Sequence, residues 1–267
     1  MTDPSTTRRG MLATTAAAGA VALAGCSGGG DDGSGGSSAA FESVEIVGEE
    51  LVVQLAADAV ETVNVIGPSG EPSLGSASVT TGATQISLNL VQDYEPGEHE
   101  IVAVDGDGNE IGSTNQRLEP EVELEQIVTH DMGADSEWPP GAFIQGQALL
   151  TLTNTGNAPA QLRYITWDNV PNYSDINRET AKSQDRAVGI HDKDLDQIQT
   201  LLASETKTGA TGLSIFRTSA DFTCGQTQEA EITIGYQQEE TIEVPVSYNS
   251  VGSSSTSDCE ITVEQQP

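Results

Sequence analysis

Basic side chains are scarce in this chain: ten Lys and Arg stand against forty-one Asp and Glu, a formal net charge of −31. Lysine occurs only at Lys182, Lys193 and Lys207. Phosphate binding depends on clustered Lys and Arg, so nucleic acid is disfavoured as a direct target. Cysteine is almost missing as well, with Cys26, Cys224 and Cys259 the full set. Long apolar runs are absent. The longest, Met11–Ala24, holds fourteen residues, mostly Ala with Leu, Val and Gly, whereas a helix crossing a bilayer needs about 20. No GxSxG, HExxH or phosphate-cradling glycine motif occurs. The three histidines, His99, His130 and His191, are not at helical ligand spacing.

What is present begins with "TTRRGMLATTAAAGAVALAGCSGGG" at Thr6–Gly30. A charged start, a short apolar core and small residues before a cut are the parts of an export signal. Arg8 and Arg9 in "TRRGML" resemble the twin-arginine signal, an address read by a receptor. "LAGC" resembles a lipobox, which implies cleavage before Cys26 and a lipid on its sulfur. Residues 1–25 are therefore expected to be a signal peptide and 26–40 a lipidated cysteine with a flexible Gly/Ser tether. The bland alternative, a small buried cysteine, has nothing around Cys26 to bury it.

With that signal removed, eight basic residues face forty acidic ones, a net charge of −32. The acid is dispersed over both halves of the chain, which resembles proteins of extreme halophiles. In molar salt the Debye length falls to about 3 Å and self-repulsion is screened. An acidic surface aimed at one cationic partner is the competing reading, but it would be local. High charge with 4% aromatics also fits disorder. Periodicity argues against that, because from Phe41 onward short apolar/polar alternations are broken by Gly, Pro, Asn and Asp.

Strands are expected at 43–47, 51–56, 60–66, 84–90, 99–105 and 110–118, joined by turns such as "GPSGEP" and "DGDGN". That density of short strands predicts a two-sheet sandwich over 41–119. "YEPGEHEIVAV", starting at Tyr94, resembles the approach to a late strand in immunoglobulin-like and fibronectin type III-like modules, and implies that fold class. "LEPEVELEQI" marks a junction into a second sandwich over 120–267. There, "GQALLTLTNTGNAPAQLRYITW" resembles the strand, Asn-Thr-Gly-Asn turn, strand unit of immunoglobulin-like domains in bacterial and archaeal surface proteins. Further strands are expected at 212–217, 229–236, 241–248 and 259–264, with Pro245 requiring an edge position or a bulge. The whole is thus expected to be all-β, two immunoglobulin-like β-sandwiches, the second with an insertion at 168–210. Leu195, Ile198, Leu201 and Leu202 fall on one helical face, which predicts a helix over 192–204, either functional or simply covering a sheet end.

With Cys26 lipidated, Cys224 and Cys259 form an even pair in an exported domain, and a disulfide between neighbouring strands is expected. Zinc is the sharper alternative, but no CxxC or HxxxH partner accompanies them. "DKDLD" and "DGDGN" begin like calcium loops yet lack the Gly and Glu that an EF-hand needs at its sixth and twelfth positions. "SETKTG" combines two motifs that lie far apart in penicillin-recognising enzymes, so their overlap is chance. Asn172, in Asn172-Tyr173-Ser174, is the one N-glycosylation sequon. No catalytic residue, cofactor or metal is expected. The expected role is a lipid-anchored, non-catalytic interaction or binding module on the outer face of the cell membrane, meeting an unknown envelope protein or ligand. A solute- or ion-binding accessory of a membrane transporter is the alternative, and an extracellular enzyme the third reading.

Overall fold

The computed structural model describes residues 38–56, 59–91, 94–129, 138, 146–172, 179–182, 189–216, 224–237, 240–251 and 260–266. Strands dominate. Among these residues helical geometry is confined to a 3-10 turn at Ser38–Ala40 and to residues 179–182.

The first half contains seven strands: β1 (Phe41–Val47), β2 (Glu50–Leu55), β3 (Thr62–Ile66), β4 (Pro72–Ser78), β5 (Gln85–Asn89), β6 (Gly97–Val104) and β7 (Glu110–Leu118). All six strands expected from alternation are present. β4, "PSLGSAS", is the addition: it has one buried leucine, and Gly75 at φ +79° interrupts its register, so no alternation announces it. Two antiparallel sheets form, ordered β1-β2-β5 and β4-β3-β6-β7. The fourth strand pairs with the third, which separates this sandwich from the ABED/CFG order of antibody constant domains. Leu51 and Val53 of one sheet meet Val63, Val65 and Ile101 of the other in one core, all at 0% exposure.

The second half continues with β8 (Val122–Thr129), β9 (Ala148–Asn154), β10 (Ala160–Asp168), β11 (Ile190–His191), β12 (Thr200–Leu201), β13 (Thr206–Thr211), β14 (Thr227–Tyr236), β15 (Glu240–Val251) and β16 (Glu260–Gln265). Its sheets are ordered β11-β13-β9-β8 and β12-β10-β14-β15-β16. A second core lies between them. Within it Phe216 stacks edge-on against both Trp167 and Tyr248, with ring centroids 5.7 Å apart in each pair. Such pairs add to what area burial alone contributes.

Pro245 sits in an inner strand, opposite Glu231 of β14. Its carbonyl accepts from Gln266 N at 3.0 Å, one residue past the last paired residue of β16. A residue's N–H and carbonyl point to the same side of a strand, so the missing donor falls where the β16 ladder has already ended. The edge that proline needs is local.

Two expectations fail, one inside the insertion and one just after it. Residues 192–204 are not a helix. Asp192 Oδ1 accepts the N–H groups of Asp194 and Asp196 at 2.9 and 3.0 Å, and Asp192 N donates to Asp196 O at 2.9 Å, closing a tight turn with Leu195 at φ +68°. An aspartate bonding its own nearby backbone offers the chain an alternative to helix. Ile198 N then bonds Ile190 O at 3.0 Å, and β12 pairs with β10. The helical spacing of the apolar residues is met by a turn and a short ladder, burying Ile198 and Leu201 but not Leu195. Of the strand expected at 212–217, the described residues 212–216 are not in a strand. The ladder to β9 is carried by β13, "TKTGAT", whose Thr206 and Thr208 hydroxyls pair with those of Thr153 and Thr151. Ile215 and Phe216 reach the core from a turn.

Candidate functional site

The most highly connected polar site is the "NTGNAP" turn between β9 and β10, residues 154–159, which grips the junction at 117–121. Asn154 is fully buried; its Oδ1 accepts from Glu121 N at 3.1 Å and Gly156 N at 3.0 Å. Its Nδ2 donates to Ala158 O and Leu201 O at 2.8 and 3.0 Å, so all the hydrogen-bonding capacity shown for the amide is directed inward. Thr155 N donates to Glu121 O at 2.7 Å and Asn157 N to Glu119 O at 2.8 Å. Asn157 also accepts from Glu119 N at 2.8 Å and donates to Arg117 O at 3.0 Å. Between these bonds Gly156 lies flat on the junction: a Cβ there would overlap the Glu119 carbonyl oxygen and sit 2.5 Å from Glu121 N. The glycine is required for close approach of two backbones.

The turn then reaches the other core. Ala158, fully buried, belongs to the first sandwich's apolar cluster, and the Pro159 carbonyl accepts the Tyr94 hydroxyl at 2.7 Å. Tyr94 is itself fully buried, and burial raises its phenol well above the usual range. The backbone oxygen of Tyr94 receives Gln237 Nε2 at 3.5 Å, from the β14–β15 turn. Gln237 is also buried, at φ +45°, and brackets Gln161 through both its backbone N and its Oε1. Two sandwiches therefore share one hydrogen-bonded joint, and Gly36–Pro267 form a single compact unit.

His99 sits against Tyr94, with ring centroids 6.2 Å apart and planes at 73°. It is fully buried, with Nδ1 3.2 Å from Gly97 O and no partner for Nε2 among the described residues. Desolvation lowers its pKa, opposed more weakly by the Gly97 carbonyl and the charge of Glu95. Burial disfavours the charged form of this ring.

The two aspartate-rich stretches are turns, each with one carboxylate used internally. Asp105 Oδ1 accepts Asp107 N at 3.0 Å and Asn109 N at 2.8 Å, which holds its pKa below the ordinary range. Asp192 Oδ1 likewise accepts two backbone N–H groups in its own loop. Among the described residues no three His, Cys, Asp or Glu side chains converge as a metal site, and no helix is long and apolar enough to cross a membrane.

Arg8, Arg9, Cys26, His130 and Cys259 lie outside the described residues. Asn172 is exposed, its Nδ2 donating to Ser214 O at 3.0 Å and its backbone N to Ile215 O at 3.0 Å, while Tyr173 and Ser174 lie outside the described residues. Cys224 precedes β14, and Gly225 N beside it bonds Ser250 O at 2.6 Å. β15 lies between β14, which Cys224 precedes, and β16. Of the joint, sequence reasoning found the turn and Tyr94 but not their mutual contact. Buried Gln237 gave no sign, since an isolated glutamine in a turn reads as solvated.

No protein-family model matches this chain, and no curated protein matches it either.

Proposed function

We propose that this protein is a membrane-tethered, non-catalytic interaction module of the outer cell surface, exported through its Arg8-Arg9 signal and anchored by a lipid on Cys26. One observation carries the reading. The start of β1 and the joint are at opposite ends of the first sandwich: Phe41 opens β1 opposite Leu55, with Thr62 paired to Val104, whereas Leu118 and Gly97 pair at the end beside Tyr94. A leash entering at one end and a stiff joint at the other would carry the second sandwich outward as one body with the first. Tethering raises its effective concentration for neighbours in the envelope. A Cys224–Cys259 disulfide would secure the C-terminal strand of that outer sandwich, and the dispersed acidity is read as adaptation to high salt.

The test is the size of the protein in detergent-solubilised membranes. The wild-type chain is expected in the membrane fraction, in a complex larger than the monomer, and Cys26→Ser is expected to leave that fraction. A strictly monomeric wild-type protein, or a Cys26→Ser variant still membrane-bound, overturns the reading.

A further inference from the structure

Among the described residues His99 is the one fully buried side chain whose charge changes near neutral pH. Its ring packs edge-on against Tyr94. Tyr94 in turn holds the second sandwich at two points, its hydroxyl donating to Pro159 O at 2.7 Å and its carbonyl accepting from Gln237 Nε2 at 3.5 Å. One aromatic ring thus stands between the histidine and the joint.

The Gly97 carbonyl, 3.2 Å from Nδ1, assigns the hydrogen of the neutral ring to that nitrogen. Nε2 is then a buried lone pair, and a second proton there meets no acceptor among the described residues. Nearby charges offset little of that cost. Glu95, in the segment before β6, is the group whose charge favours the cation, and its Oε2 already accepts Ser69 N at 3.2 Å. Glu98 and Glu100 flank the histidine on β6 but are exposed on the opposite face. Across the ladder β7 places the uncharged Gln116 opposite His99, and the next residue, Arg117, is exposed and paired with Glu119. The 67–71 turn approaches Gly97 through Pro68, and its Glu71 is exposed. The second sandwich meets Tyr94 with Pro159 and Gln237, neither of them charged.

We propose that His99 is an acid-operated catch: a proton on Nε2 drives the ring from behind Tyr94 toward water, and the second sandwich is released from the first. The sign follows from burial. Desolvation lowers the His99 pKa in the closed joint, while a released ring titrates near 6.5, so closing is favoured above about pH 6.5 and opening grows as pH falls below it. With one proton taken up, the open fraction rises by at most about ten-fold per pH unit. The catch rests on the joint and is independent of the membrane anchor.

Amide hydrogen exchange of the full chain in molar salt, corrected for the intrinsic pH dependence of exchange, reads the joint at Thr155 N and Asn157 N, which bond Glu121 O and Glu119 O. Between pH 7.5 and 5 their protection is expected to fall about five-fold or more, while the amides of Val65 and Ile232, one in each core, keep theirs. His99→Gln is expected to hold the joint amides at one level across that range. The wild-type ring supplies a check that needs no variant: its own NMR titration should give a pKa below 6.5, with joint protection falling between 6.5 and that value. If His99→Gln does not fold at pH 7.5, this titration decides alone. Joint protection that ignores pH, that falls equally in His99→Gln, or that falls together with both cores overturns the catch, as does a ring titrating at 6.5 or above.

Discussion

The hydroxyl of Tyr94, from the first sandwich, donates to the carbonyl of Pro159, from the second, at 2.7 Å across a fully buried contact. A bond between two cores makes the stability of each depend on the other. Tyr94→Phe keeps the ring and leaves a buried acceptor unpaired, a loss of about 1–3 kcal/mol. Chemical denaturation followed by a probe in each sandwich should show the two transitions moving apart. Coincident transitions at the wild-type midpoint would mean that this bond couples nothing.

Gly156→Ala tests the same joint from the backbone side. The added methyl overlaps the Glu119 carbonyl, and neither main chain can yield without breaking the bonds of Thr155 and Asn157 to residues 117–121. The expected result is a melting temperature several degrees lower and a longer, more variable particle in small-angle scattering. An unchanged scattering profile would show that the turn is replaceable.

Acid should weaken the first sandwich through His99. Its folded pKa lies below the ordinary 6.5 because burial disfavours the cation. The unfolded chain therefore binds the proton more readily, so the stabilising effect is full above about pH 6.5 and is lost as pH falls below it. Thermal melts between pH 5 and 8 should show this slope in wild type and a flatter one in His99→Gln. Identical slopes would place the acid sensitivity elsewhere.

Salt should matter more than pH. Repulsion among charges summing to −31 is screened in molar salt and released in dilute buffer. Circular dichroism during dialysis from molar salt is expected to show lost strand signal or a much lower melting temperature. A melting temperature flat across that range would separate the acidity from any solvent adaptation.

Strand positions were legible wherever one face of a strand is buried and the other less so, because a period of two then appears in the residues themselves, as in "LVVQL" and "TVNVI". Where burial does not alternate the signal vanishes. β4 carries one buried leucine, β13 is largely threonine and small residues, and Ile215 and Phe216 are buried from a turn. The false helix at 192–204 has the same origin: periodicity records which residues could share a face, and a single aspartate bonding its own backbone was enough to select a turn instead. By itself the sequence determined the all-β class, most strand positions and the location of the "NTGNAP" turn, since these depend on local pattern and on backbone freedom at glycine and asparagine. Only the tertiary structure decided that this turn clamps residues 117–121 and receives Tyr94, that β15 parts β14 from β16, and that Leu195 faces outward. Each of these depends on groups far apart in the chain meeting within a hydrogen bond or a van der Waals contact, a condition that no local pattern records.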